Sequence, residues 1–287
     1  MTEHVDFLRG LGGAPTIAPM SFGLGRGRPL DDAPGVVGVS SDELPPLPDA
    51  IAQDPLAGRL DPRAWFPLRR DADERGTGGD RPFEIEIGSG KGTFLLEQAS
   101  AKTGTDFLGI EWAREFYLYT ADRVRRRGLR NVRVLHTDAT EFLRWRVPDG
   151  VVDVVHLYFS DPWPKPRHHK KRVVQDRFLA DVWRVLKPGG ELRVVTDHAE
   201  LWAWDELHFE RWTSASPDAA TPGYAGARPA FTRHAFTAPE AAGPNELVGS
   251  NFERKFREEG RDFHACVLRK APGAGQRAPV SEERTGA

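Results

Sequence analysis

The segment FEIEIGSGKG, Phe83 to Gly92, joins two patterns that together decide the fold. Phe83 to Gly88 alternates like a strand. Gly88, Gly90 and Gly92 then make a loop in which the backbone can approach a ligand closely. The loop can also turn sharply into a helix whose N-terminus faces that ligand. The spacing excludes two phosphate-binding patterns. G-x-G-x-x-G needs glycine at position 93, where the chain has Thr93. The Walker pattern, with four residues between its glycines and a following Lys-Ser/Thr, is absent.

Downstream, short β-rich runs recur at Asp106–Glu111, Val132–Asp138, Val151–Phe159 and Glu191–Asp197. Segments with helical spacing separate them. Phe94, Leu95 and Ala99 share a face over Thr93–Ser100. Phe116, Tyr119, Arg123 and Arg127 recur at three or four residues over Arg114–Arg127, predicting an aromatic face that grades into a basic one. Phe178, Leu179, Val182 and Leu186 form a stripe over Val174–Leu186, which Lys187-Pro188-Gly189-Gly190 stops. Strand–helix alternation with nearly continuous apolar strands predicts an α/β fold, with a parallel sheet covered on both faces. Five βα units are expected between about 82 and 200, then a helix over Asn251–Glu259 and a last strand over Asp262–Leu268.

The flanks read differently. The first 80 residues hold 12 glycines and 10 prolines, a composition of irregular or disordered chain. Within them SFGLGRGRPL, Ser21 to Leu30, is an arm that could order on an anionic partner. Residues 213–249 read as a long irregular insertion, and 271–287 as a disordered tail. The folded core is therefore expected over 81–270.

Composition narrows the function. Apolar residues make up 39% of the 287, enough for a core, and no apolar run approaches the ~20 residues that span a membrane. The N-terminus MTEHVDFLRG lacks the features of a signal peptide. A single cysteine, Cys266, excludes an intramolecular disulfide and a cysteine-based metal cluster, and its apolar setting predicts a buried, inert thiol. A cytoplasmic protein without a metal is expected, acting as a monomer or homodimer. The formal net charge of −2 argues against general polyanion binding and confines any nucleic-acid contact to a local patch.

Acids mark all five strands at their carboxyl sides: Glu86, Glu111, Asp138, Asp161 and Asp197. Glu111 follows Gly90 by 21 residues, near the ~20 expected of an acid that takes a ribose hydroxyl pair. For any one acid, capping the next helix is the simpler role. Five in register behind a glycine loop instead indicate a nucleoside-type cofactor. Several carboxylates suit a cationic sulfonium better than a pyrophosphate, and a G-x-G-x-G loop behind an acidic strand end resembles that of S-adenosylmethionine-dependent methyltransferases. After the fourth strand comes SDPWPKPRHHKKR, Ser160 to Arg172, with one carboxylate, a proline-framed tryptophan and a dense cationic tail suited to phosphates.

Taken together, EIGSGKG, DFLGIE, HTDA, FSDPWPKPRHHKKR, VTD and SNFERKF resemble the bacterial tRNA (guanine-N7-)-methyltransferases, in that family's order from Phe83 to Arg269. The resemblance implies a Rossmann-like methyltransferase fold over 81–270, with a mostly parallel seven-stranded sheet and helices on both faces. It further implies methyl transfer from S-adenosyl-L-methionine to N7 of the guanine at position 46 of the tRNA variable loop. Glu86, Gly88, Glu111, Asp138 and Asp161 would bind cofactor, and Asp161 would be catalytic. Lys165, Asp197, Ser250, Asn251, Phe252 and Glu253 would bind the target nucleotide, with Asp161, Asp197 and Glu253 as acceptors for guanine N1–H and its amino group. Arg167, His168, His169, Lys170, Lys171 and Arg172 would contact RNA. Trp163 either stacks on a flipped base or packs against Pro162 and Pro164, the second being favoured.

Departures from the family are Ser160 where proline is usual, Ser250 where threonine is usual, the long 213–249 segment, and a longer, less basic N-terminal region. Three other readings remain open: a methyltransferase for small molecules or proteins, a tRNA-binding protein without catalysis, and a nicotinamide oxidoreductase. Thr93 and the DPW block speak against the last.

Overall fold

A computed structural model of the chain describes residues 37–74, 81–215 and 229–271. Its elements in order are β1 (Gly38–Ser40), α1 (Pro67–Glu74), β2 (Phe83–Ile87), α2 (Thr93–Ala101), β3 (Asp106–Glu111), α3 (Arg114–Arg127), β4 (Val132–His136), α4 (Ala139–Trp145) and β5 (Val152–Tyr158). There follow α5 (Asp176–Val185), β6 (Leu186–Thr196), α6 (Ala199–Thr213), β7 (Phe231–His234), α7 (Asn251–Glu258) and β8 (His264–Lys270). Among the described residues no helix is long and apolar enough to cross a membrane.

The strands form one sheet in the order β1-β4-β3-β2-β5-β6-β8-β7. Six of them run parallel, while β8 pairs antiparallel with both β6 and β7. From β2 the chain builds outward through β3 and β4, then returns to the other side of β2 with β5 and β6. The order thus reverses between β2 and β5, and the crevice at the carboxyl ends of those two strands is where such a sheet receives ligand. Glu86 lies level with His156, and Ile87 with Leu157. The glycine loop after Ile87 and the DPW segment after Tyr158 are therefore neighbours at that crevice.

Both faces of the sheet are covered, which is why β2 and β3 are buried along their whole lengths. One core layer joins Ile85, Leu108, Leu135, Val155 and Leu157 to residues of α4, α5 and α6. On the other face, Leu95, Leu96 and Ala99 of α2 meet Tyr117, Ala121 and Val124 of α3. A third, smaller group places Phe94 against Tyr158, Val195 and Val248. Cys266 is buried, and burial pushes its thiol up to about 12, as an inert core cysteine requires.

Two local expectations are corrected. First, the sheet has an eighth strand, because β1 pairs with β4 in parallel, inside the stretch read as irregular. Phe66, fully buried, packs edge-on against Phe83 at 5.8 Å between ring centroids. Burying such a ring contributes about 1.5–3 kcal/mol, enough to fasten this segment to the core. Second, residues 231–234 of the stretch read as an insertion form β7. The glycine–arginine arm, the residues on either side of Gly79, the middle of the insertion and the tail beyond Ala271 lie outside the described residues. In α3 the core side is made by Tyr117, Leu118, Ala121 and Val124, and the Phe116–Tyr119–Arg123 row lies half-buried beside it. The Arg123 guanidinium lies 5.8 Å over the Tyr119 ring, and it donates to the Lys91 carbonyl. That row braces the glycine loop from its flank.

Candidate active site

The glycine loop is held by both of its neighbours. Gly88 N–H donates to Ile110 O at 2.8 Å, and Gly90 N–H donates to the Glu111 carboxylate at 2.7 Å. Thr120 Oγ1 donates to Gly90 O at 2.9 Å. Gly88 has φ +73 and nothing within 4 Å of where a Cβ would stand, so the backbone there faces open space. Gly92 has φ +67, and a Cβ there would strike Thr120. The first glycine therefore serves approach and the third serves packing, which is why Thr93 can follow without breaking the motif.

Two carboxylates sit against this loop. Glu86 is 6% exposed, and its Oε2 is buried without a hydrogen-bond partner among the described residues. Burial, then the charge of Glu111, raise its pKa well above the ordinary value. Glu111 accepts from Gly90 N–H and, at 2.8 Å, from Ala113 N–H. Burial raises its pKa, the amides of Ala113, Gly90 and Trp112 offset part of the rise, and nearby Asp161 adds to it. An orphaned buried acceptor, a second carboxylate beside it and an open glycine backbone suit a ligand that brings donors and positive charge. S-adenosyl-L-methionine, with a sulfonium and ribose hydroxyls, meets both demands.

Asp138 caps α4: its Oδ1 accepts from Thr140 N–H at 2.8 Å, Thr140 Oγ1 at 2.6 Å and Glu141 N–H at 3.2 Å. The capping role open to each acid is thus real here, and it leaves Oδ2 for a ligand. Trp112 is a rim residue that the sequence patterns do not single out. It follows Glu111, is 72% exposed, and its carbonyl contacts His136 Nε2 at 3.0 Å. An aromatic directly after a strand-end acid is the signal that marks it.

Beyond β5 the chain turns through an unusual backbone. Phe159 has φ 54 and Trp163 has φ 42, left-handed values that bulky residues adopt only when their surroundings impose them. Phe159 is fixed by its N–H to Val195 O at 2.7 Å and by edge contacts with Phe256 and Phe263, both 5.7 Å away. Between the two lies Asp161, exposed, its pKa raised by the protein around it. The Trp163 ring also has charged and aromatic neighbours. Lys171 Nζ sits 4.6 Å over its ring, and His168 meets it edge-on at 5.8 Å.

The basic run folds as a single 3-10 helix, Pro166–Lys171, which divides it. Lys165, Arg167, Lys170 and Lys171 are exposed and His168 is half-buried. His169 turns inward to lie 3.4 Å from Glu200 and edge-on to Trp204 at 5.6 Å. Arg172, expected at the RNA surface, is 2% exposed and bonded to Pro162 O and Glu200. The compact turn leaves its last residue pointing into the protein.

The late motif also divides. Ser250 caps α7 by accepting from Glu253 N–H at 3.1 Å, while Asn251 and Phe252 are exposed. Glu253 is fully buried and cannot serve as the guanine acceptor expected of it. Its carboxylate accepts from the amides of Leu247, Val248 (2.8 Å) and Gly249 (2.9 Å), and from Arg257 at 2.7 Å. Asp197 is held through Oδ2 by the Arg261 guanidinium. A cavity of about 450 Å³ opens at the opposite ends of β2 and β5, lined by Glu84, Lys102, Asp153, Lys187 and Glu240 among others. Its acids have partners, as with Glu84 and Lys102 at 2.6 Å and Asp153 and Lys187 at 3.1 Å, unlike the orphaned Glu86 oxygen at the crevice.

Residues 80–220 match a family model described as "Putative methyltransferase". The tRNA (guanine-N(7)-)-methyltransferase of Halorhodospira halophila is 33% identical to the chain, over 72% of the chain and 86% of the relative. That of Geobacillus kaustophilus is 28% identical, over 81% and 94%. That of Alkalilimnicola ehrlichii is 42% identical, over 57% of the chain and 66% of the relative. The glycine loop, the acids around it and the DPW turn lie within the 80–220 match to the family model, and by its identity to these relatives the chain belongs to the tRNA (guanine-N(7)-)-methyltransferase family.

Proposed function

We propose that this protein transfers a methyl group from S-adenosyl-L-methionine to N7 of the guanine at position 46 in the variable loop of tRNA, in the cytoplasm. The observation that carries the reading is one arrangement at the β2/β5 crevice. An exposed carboxylate, Asp161, adjoins a cofactor-type glycine loop on one side and outward cations on the other.

The cofactor supplies an electrophilic methyl group on a sulfonium. Glu86 and Glu111 would hold its donors, Asp138 would offer Oδ2, and Gly88 would let the backbone approach. Guanine N7 is a ring lone pair without a proton, so no general base is needed, and the work of the site is alignment and charge placement. Asp161 can accept from guanine N1–H and its amino group, and Asp197 can do so through the oxygen that Arg261 leaves free. Adenine lacks that pair of donors. Phe252 and Trp112 offer exposed ring faces at the rim, where a base can stack. Arg167, Lys170 and Lys171 are exposed and would meet the phosphates, which a protein with near-zero net charge must bind through one local face.

The test is incubation with unmodified tRNA and S-adenosylmethionine, followed by borohydride–aniline cleavage to map N7-methylguanine. Cleavage at the variable loop is expected. Its absence overturns the assignment. Asp161→Ala should remain folded and transfer no methyl group, and near-normal turnover would remove Asp161 from the reaction.

A further inference from the structure

Arg172 ends the cationic run, yet its guanidinium faces inward. Nε donates to Pro162 O at 2.9 Å, Nη2 donates to Glu200 at 2.7 Å, and the plane lies 5.3 Å over the Trp204 ring. Trp204 is itself fixed, its Nε1–H donating to Val174 O at 2.8 Å. Glu200 and Trp204 belong to α6, the helix that follows Asp197. Pro162 follows Asp161 directly. One buried cation thus ties the segment carrying Asp161 to the helix that begins beside Asp197. It does so between Phe159 and Trp163, whose left-handed backbones require an external constraint.

We infer that Arg172 is a positioning residue for methyl transfer. It sets the Asp161–Pro162 backbone against α6, holding the two acids that face the target guanine at a constant separation, and it makes no contact with RNA. Three points favour this over a phosphate contact: the near-complete burial, the planar fork engaged on two acceptors, and a ring packed on its face. The inference rests on the proposed methyl transfer to tRNA.

The test uses the full chain with Arg172→Ala, Arg172→Lys and Glu200→Gln, the last altering a carboxylate that is 55% exposed. Three quantities are measured: the single-turnover methyl-transfer rate, tRNA affinity across a salt series, and trypsin cleavage after the exposed Arg167. Misplacing a reacting group by about 1 Å can cost on the order of 100-fold in rate. Arg172→Ala should therefore slow transfer by about that factor. Arg172→Lys should lie in between, because an ammonium cannot span both acceptors, and Glu200→Gln should slow transfer by roughly tenfold. Affinity and salt slope should stay within about twofold of the parent, and cleavage after Arg167 should accelerate in all three variants. Weakened binding with a flatter salt slope would make Arg172 an RNA contact and overturn the inference. So would unchanged rates and unchanged cleavage in Glu200→Gln, even if Arg172→Ala fails to fold. If the parent protein does not methylate tRNA, the proposed function has failed, and the cleavage comparison still decides whether Arg172 holds the turn.

Discussion

The ring of Phe252 lies against Gly90: a Cβ at that glycine would stand 3.4 Å from Phe252 Cε2. The N-terminal turn of α7 therefore sits over the glycine loop after β2. The fold closes the crevice with a residue that is 40% exposed and rests on Phe256 at 6.0 Å. Stacking of a base on such a ring is worth about 1–3 kcal/mol. Phe252→Ala should lower kcat/KM for tRNA by roughly 10- to 100-fold, with thermal unfolding little changed. Steady-state kinetics against a calorimetric scan checks both parts.

Glu86 carries a conflict that ligand must relieve. A carboxyl whose folded-state pKa is raised adds stability below its ordinary value of 4.5 and loses that contribution as pH rises through the folded value. Above that ordinary value, folding must either bury the carboxylate charged or take up a proton, so near neutral pH Glu86 costs the ligand-free protein stability. Glu86→Gln should raise Tm by a few degrees without ligand and weaken S-adenosylmethionine binding. Calorimetric titration beside unfolding scans tests this, and a less stable ligand-free variant would contradict it.

Glu253 acts in the opposite sense. Burial alone would raise its pKa, but the amides of Leu247 and Val248, the Arg257 guanidinium and the Gly249 amide together hold it below the ordinary range. Its contribution to stability is thus fully present above about pH 4.5 and is lost as pH falls further. Glu253→Gln removes charge-assisted bonds worth about 1.5–3 kcal/mol each. The variant should unfold at lower denaturant, by about 2–4 kcal/mol, with a flatter acid limb. Loss of activity in Glu253→Ala should accordingly track unfolding.

The outward cations separate from the buried one. Arg167→Ala with Lys170→Ala removes two exposed charges and spares Lys171, whose ammonium packs on Trp163. Binding to tRNA should weaken, and the slope of log K against log salt should fall by about 0.7–0.9 for every phosphate that is no longer neutralised. Filter binding over a salt series reads the slope. An unchanged slope places the RNA elsewhere.

Much of this molecule is legible before folding, because the signals are local. Alternation in FEIEIG, the glycine spacing after it, and the acids closing each parallel strand depend on neighbours within a few residues, and they lead directly to the β2–β6 half of the sheet. Residues 38–40 and 231–234 escape such a reading. Short strands in Gly/Pro-rich chain are stabilised by the partner they pair with, β4 and β8, and a window along the sequence does not contain that partner.

Charge sign is likewise a property of sequence, whereas charge direction is not. The run from Arg167 to Arg172 and the quartet from Ser250 to Glu253 each read as one surface unit. The 3-10 turn instead carries Arg172 under α6, and the loop before α7 closes three amides over Glu253. Residue types and strand-end spacing identified the chemistry. Only packing decided which like-charged neighbours face solvent, because a buried ion persists only where the tertiary fold supplies its partners.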